Sequence, residues 1–142
     1  MNSLNENETN KNLRLYNDLK KIMIVLYLLI AFVYVFRDNL YGLDNPIVTL
    51  IAGVSPNFIS SILFTLVIVF YIVPFYHKNT VSIENPIYLW LTNLINILFF
   101  GLIEYLHVIL NLGKWDIYDM IASFLGIIVS TVIYYVIRKK SL

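Results

Sequence analysis

Four apolar runs broken by polar stretches set the pattern of this chain. The first is Ile22–Phe36, stopped by Arg37 and Asp38. The second is centred on Phe58–Tyr76, the third on Ile87–Leu106, and the fourth on Ile117–Ile137. A membrane-crossing helix needs roughly 20 mostly apolar residues, and the last three runs meet that length. The first reaches it with Leu19 and with the aliphatic stems of Lys20, Lys21 and Arg37, whose charged heads sit in the interface. No small-residue cleavage site follows Phe36, so this run reads as an uncleaved anchor rather than a signal peptide. The spans are expected at about 20–37, 57–76, 86–106 and 117–137.

Helix signals fall at the expected places. Ser55-Pro56 and Asn85-Pro86 each combine a capping side chain with a proline suited to a first helical turn. Asp116 is a candidate cap for the fourth span. Pro74 lies where the second helix is free to end or kink. The nine apolar residues 47–55 are too few to cross alone and read as a short interfacial or re-entrant segment. Asn111-Leu112-Gly113-Lys114 reads as a turn between the third and fourth spans. Residues 1–18 are polar and asparagine-rich, and the first dozen lack the apolar surface to offset ordering entropy. They read as a flexible tail before one membrane domain, 19–140, with helix beginning somewhere after Leu13.

Composition agrees with this all-α, four-span bundle. Of 142 residues, 59% are apolar and 13% charged, with a mean hydropathy of +0.75. Soluble domains carry about 25% charged residues, and a chain this short cannot hide such an apolar excess in one core. A net charge of +1 gives no basic stripe for nucleic acid. Cysteine is absent, which excludes disulfides and thiolate chemistry. His77 and His107 are too far apart in sequence for a helical metal pair, and no metal or cofactor is expected.

Basic residues orient the spans. Lys11, Arg14, Lys20, Lys21, Lys78, Arg138, Lys139 and Lys140 fall on one side, and Arg37 and Lys114 on the other. The positive-inside rule then places both termini in the cytoplasm. Tyr71, Tyr76, Tyr88, Trp90, Tyr134 and Tyr135 would belt the inner interface, and Tyr34, Tyr41, Tyr105, Trp115 and Tyr118 the outer one.

In that arrangement Arg37, Asp38, Asp44, Glu104, His107, Lys114, Asp116 and Asp119 gather at the outer leaflet. On the third span, Asn93, Asn96, Glu104 and His107 share about 80° of helix face. Polar stripes in membrane helices normally face the bundle interior. The fourth span carries a matching stripe, Asp119, Ser123, Gly126 and Ser130, in which Gly126 and Ser130 permit close helix approach. Packing the two stripes together sets Glu104 near Asp119, with Arg37 as the best protein cation for them. Plainer roles stand beside these: Asp116 and Asp119 as cap and first-turn acid, the asparagines as interhelical glue, Gly126 and Ser130 as packing residues. His107 reads as interfacial, and Arg37 equally as a stop-transfer charge. Glu104 is the residue hardest to explain without function, because a carboxylate near lipid is costly.

Two segments, FFGLIEYLH (Phe99–His107) and GKWDIYDMIASFLG (Gly113–Gly126), resemble the VanZ-like membrane family. Glu104, Asp116, Asp119 and Gly126 match its pattern of a glutamate ending one span, paired aspartates opening the next, and a glycine further in. Ser55-Pro56-Asn57-Phe58 is similar to a segment that opens an earlier span in many members. This sequence departs where the family often has glutamine (here His107), arginine (here Gly113) and asparagine (here Ser123). A phosphate clamp would therefore fall to Lys114 or Arg37, or be absent. The resemblance covers about the last forty residues well. It implies a bacterial inner-membrane envelope protein, in a family named after a protein of teicoplanin resistance.

Two classes of function follow. One is a non-enzymatic protein that binds membrane lipid, a lipid-linked cell-wall precursor or a glycopeptide through Arg37, Glu104 and Asp119. The other is an intramembrane enzyme on a lipid or polyprenyl phosphate, with Glu104, Asp116 and Asp119 as acid, base or cation ligands. A small transporter subunit, forming a homo-oligomer through the Gly126–Ser130 face, is a third reading.

Overall fold

The computed structural model describes residues 2–77, 85–111 and 115–141, with side chains placed for 17–76, 85–111 and 115–139. Its elements are α1 (Asn2–Tyr41), α2 (Pro46–Val67), a π-helical turn (Ile68–Ile72), α3 (Val73–His77), α4 (Ile87–Ile109) and α5 (Ile117–Ser141). Four helical segments are long and apolar enough to cross a membrane: Asn17–Tyr41, Pro46–Tyr76, Ile87–Ile109 and Ile117–Lys139. The protein is an all-α, multi-pass membrane bundle, with no strand among the described residues. Its outward faces are largely apolar, as lipid demands: Leu28, Val35, Leu98 and Val132 are all exposed.

The second span begins earlier than Ser55-Pro56 suggests. Asn45 is the cap, its Oδ1 accepting from the N–H groups of Ile47 (3.0 Å) and Val48 (3.3 Å), with Pro46 in the first turn. Residues 47–55 are thus the opening turns of α2 rather than a separate element. Asp44, at φ 48°, makes the left-handed bend that lets the chain reverse just before this cap. Ser55 instead turns its hydroxyl back onto the carbonyl of Ile51, as serines do inside helices. Pro56 sits buried in the helix interior. Helix α1 likewise reaches back to Asn2, where the composition suggested a tail without fixed structure.

Pro74 neither ends nor sharply breaks the second span. A proline in helix presses its ring on the carbonyl four residues back, here that of Phe70. The chain answers with the π turn just before it, where the Val73 N–H reaches back to the carbonyl of Ile68. The extra residue per turn relieves that contact and lets the helix continue to His77.

α2 is the hub. It runs parallel to α5, with which it makes the most extensive packing, and antiparallel to α1 and α4. At one end Leu19 and Met23 of α1 join Leu66, Phe70, Leu89, Tyr134 and Ile137 in an apolar cluster. Tyr134 is fully buried there, so it is a core residue and not part of an interfacial belt. Lys20, Lys21 and Lys139 lie exposed at this basic end. Arg37, Glu104 and Asp119 lie at the opposite end, the acidic rim.

Candidate functional site: a polar seam leading to an acidic rim

Of the polar stripes expected on the third and fourth spans, Asn93, Asn96, Glu104, Ser123, Gly126 and Ser130 are buried, Asp119 is half-buried and His107 is exposed, and much of their bonding is to α2. Asn96 is completely buried, and its Nδ2 donates to the Ser61 carbonyl (2.8 Å) and to Thr65 Oγ1 (2.9 Å). Ser61 Oγ donates to the carbonyl of Ser123 at 2.7 Å, which ties α2 to α5. Thr65 Oγ1 lies 3.4 Å from Asn93 Oδ1, and Asn93 Nδ2 donates to Thr131 Oγ1 at 3.0 Å. Three helices are therefore stitched by one chain of side-chain amides and hydroxyls. In lipid each such group needs a protein partner, because water is absent.

Gly126 permits this closeness. A Cβ placed there would lie 2.5 Å from the carbonyl oxygen of Phe58 and 2.9 Å from Ser61 Cβ. Its neighbour on the stripe, Ser130, is fully buried and donates to the carbonyl of Ile127. The Gly126–Ser130 face thus packs inside one chain, where the sequence had offered it to a second copy.

The seam rises to the rim. Glu104 is only 4% exposed. Its Oε2 lies 3.5 Å from the backbone N of Asp116, and its Oε1 lies 4.0 Å from Nδ1 of the half-exposed His107. Both contacts are long for a buried carboxyl group, which ordinarily accepts several short bonds. Asp119 is half-buried, hydrogen-bonded by the Asn57 side chain, and within electrostatic reach of Asp116, Glu104 and Arg37. Asp116 also performs the expected cap, accepting from the Tyr118 N–H at 2.8 Å. Ser123 folds its hydroxyl onto the Asp119 carbonyl at 3.0 Å.

Arg37 does not fill the role of counter-ion expected of it. Its Nε donates to Tyr41 Oη at 3.0 Å, and the guanidinium lies 5.3 Å from the Tyr41 ring centroid. The Tyr41 hydroxyl in turn sits beside Gly53 on the early turns of α2. Because α2 starts at Pro46, its extra turns draw the end of α1 toward themselves. Among the described residues no ion pair joins Arg37 to Glu104 or Asp119. Lys114 and Gly113 lie outside the described residues. No group of three or more His, Asp or Glu side chains among the described residues is placed to hold a metal ion.

Sequence reasoning missed Asn57, Ser61 and Thr65. The signal was present, since the three recur every four residues and mark one side of α2. A span that opens at Pro46 places them well inside the membrane segment, where such residues seek partners.

No protein-family model, curated protein or solved structure matches the chain. The rim must be interpreted from its own chemistry.

Proposed function

We propose that this chain is a VanZ-like protein of the bacterial inner membrane, with both termini in the cytoplasm. Its acidic rim, at the outer leaflet, binds an amphiphilic envelope molecule whose head group carries a basic function. Glycopeptides of the teicoplanin type and lipid-linked wall precursors are the candidate ligands. Binding there changes how such molecules act at the cell surface.

One observation carries this reading. Glu104 is buried at the rim with two long contacts, next to Asp119, and among the described residues no Lys or Arg is in ion-pair contact with either. Burying a carboxyl group without strong partners is costly, and a ligand cation at this spot would offset that cost. Arg37 stands nearby on Tyr41, close enough to feel Asp119 and exposed enough to meet an anionic part of the same ligand. An enzyme of phosphoryl transfer would call for clustered cations or metal ligands at the site; the described His, Asp and Glu side chains form no metal-holding group, and Arg37 is the one Lys or Arg described at the rim.

The test compares cells expressing the parent with cells expressing Glu104→Gln, Asp119→Asn and Arg37→Gln, with membrane abundance measured in each. The parent should shift susceptibility to glycopeptides and lipoglycopeptides, and the abundant Glu104→Gln variant should not. A parent without effect on susceptibility removes the glycopeptide link. An abundant Glu104→Gln variant that behaves like an active parent removes the rim as the site.

A further inference from the structure

The basic end of the bundle, opposite the rim, carries a groove that the proposed function does not use. Its described walls are Phe70, Tyr71, Ile72, Pro74, Phe75 and Tyr76, and it has a volume of about 680 Å³. It follows directly on the π turn (Ile68–Ile72). Phe75 and Tyr76 are 80% and 77% exposed, a large aromatic surface at the end of a membrane span.

Charge sits beside this groove. α2 and α5 run parallel, with the Ser61 hydroxyl on the Ser123 carbonyl and the ring centroids of Phe70 and Tyr134 6.0 Å apart. Arg138 lies one turn beyond Tyr134 and Pro74 one turn beyond Phe70, toward the same end of the bundle. Arg138 follows Tyr134 by four residues and so shares its face of α5. Lys139 is exposed next to it. Lys20 and Lys21 of α1 reach the same end, because Leu19 and Met23 share one cluster with Phe70 and Ile137. Asp18, 3.8 Å from Lys21, is the one acidic side chain described at this end of α1.

We propose that this end of the bundle binds an anionic phospholipid, with an acyl chain in the Phe70–Tyr76 groove and its phosphate against Arg138 and Lys139. An apolar groove at the end of a membrane span takes an acyl chain at little dehydration cost, so the walls favour a chain there. The charges decide which head group accompanies it. A zwitterionic lipid gains little from several cations, whereas a net negative head group gains from each. The site is independent of the rim and of its ligand.

The purified full chain in mild detergent is titrated with palmitoyl-oleoyl phosphatidylglycerol or phosphatidylcholine, and retained lipid is read by native mass spectrometry. Thermal stability is followed in parallel. Phosphatidylglycerol should be retained about fivefold better, roughly what one basic contact to an anionic head group provides. Arg138→Gln should bring the ratio close to one. Phe75→Ala should weaken both lipids alike, because it removes a wall and no charge. Arg37→Gln, at the other end, should leave the preference intact. Equal retention of the two lipids by the parent overturns the proposal, and so does an unchanged preference in Arg138→Gln. If Arg138→Gln does not fold, Lys139→Gln at the exposed neighbour takes its place, and a full preference there overturns the proposal equally.

Discussion

At the basic end of the bundle the buried side chains are Leu19, Leu66, Val69, Phe70, Leu89, Tyr134 and Ile137. Toward the acidic rim Ser61, Thr65, Asn93, Asn96, Ser123 and Glu104 are buried beside a few apolar side chains, Ala52, Phe100 and Ala122. The bundle is thus held by apolar contact at one end, while hydrogen bonds join three of its helices, α2, α4 and α5, toward the other. In a membrane the distinction has unusual weight. Apolar packing competes with lipid tails that are themselves apolar, so it gives little sense of which helix belongs beside which. A hydrogen bond from Asn96 to the Ser61 carbonyl has no equal in lipid, and it fixes both partner and register. The bundle is specified in its polar half and filled in its apolar half. The candidate site lies where the structure is most tightly specified, as a binding rim requires.

This contrast is sharpest at Gly126, where the largest effect is expected. Replacing it by leucine drives side-chain atoms into the Phe58 carbonyl and Ser61. Backbone cannot yield cheaply, so a loss of about 3 kcal/mol is expected in denaturation from detergent micelles. Alanine at the same place should already cost a sizeable part of it. Stability unchanged in Gly126→Leu would mean that α2 and α5 are not in this contact. In the apolar half, Leu66→Ala should cost about 2 kcal/mol by leaving a cavity, while leaving crosslinks between cysteines placed on α2 and α4 in their original register.

Asn96→Ala comes next, at about 1 kcal/mol, within the range measured for hydrogen bonds between membrane helices. It costs less than Leu66→Ala yet should do more to register, because Thr65 loses its donor and the Ser61 carbonyl a second bond. Crosslinking that spreads to neighbouring positions in Asn96→Ala but stays fixed in Leu66→Ala would support the division of labour. The reverse pattern would end it.

The four spans were legible because nothing else explains apolar runs of this length in so small a chain. Asn85 and Asp116 were legible as caps, each accepting from the N–H two residues on. Ser55-Pro56 misled because a capping residue before proline looks the same at a helix start and in a helix middle. What separates them is backbone: Asn45 follows the left-handed bend at Asp44, and Ser55 follows nine helical residues. At the rim, helix periodicity correctly gathered Asn93, Asn96 and Glu104 on the buried face of α4, while His107, placed with them, is exposed at the helix end. Periodicity within one helix carries no information on which neighbour it meets. The interposed α2, with Asn57, Ser61 and Thr65, therefore came only from the structure. Arg37 was paired with the carboxylates by charge alone, and its actual partner, Tyr41, is simply the residue one turn away.

The smallest stability effects are expected at the rim, and there the comparison turns from folding to function. Glu104→Gln keeps the side chain's shape and removes a carboxylate that has few good partners, so thermal stability should hold or rise slightly while the susceptibility phenotype disappears. Asn96→Ala should show the opposite balance, with stability lowered first. Arg37 divides the two readings of the rim most finely. Its side chain is exposed and, among the described residues, hydrogen-bonded within its own helix to Tyr41, so both Arg37→Lys and Arg37→Gln should stay within about 0.5 kcal/mol of the parent. A site that uses Arg37 for its charge keeps its phenotype with lysine and loses it with glutamine. A stop-transfer arginine instead shows itself in topology: Arg37→Gln would change the protease accessibility of terminal tags and leave the phenotype of correctly inserted molecules untouched. If lysine fails where stability and insertion are both normal, the guanidinium held by Tyr41 is needed for its geometry, and the rim's ligand meets the Arg37–Tyr41 pair as a unit.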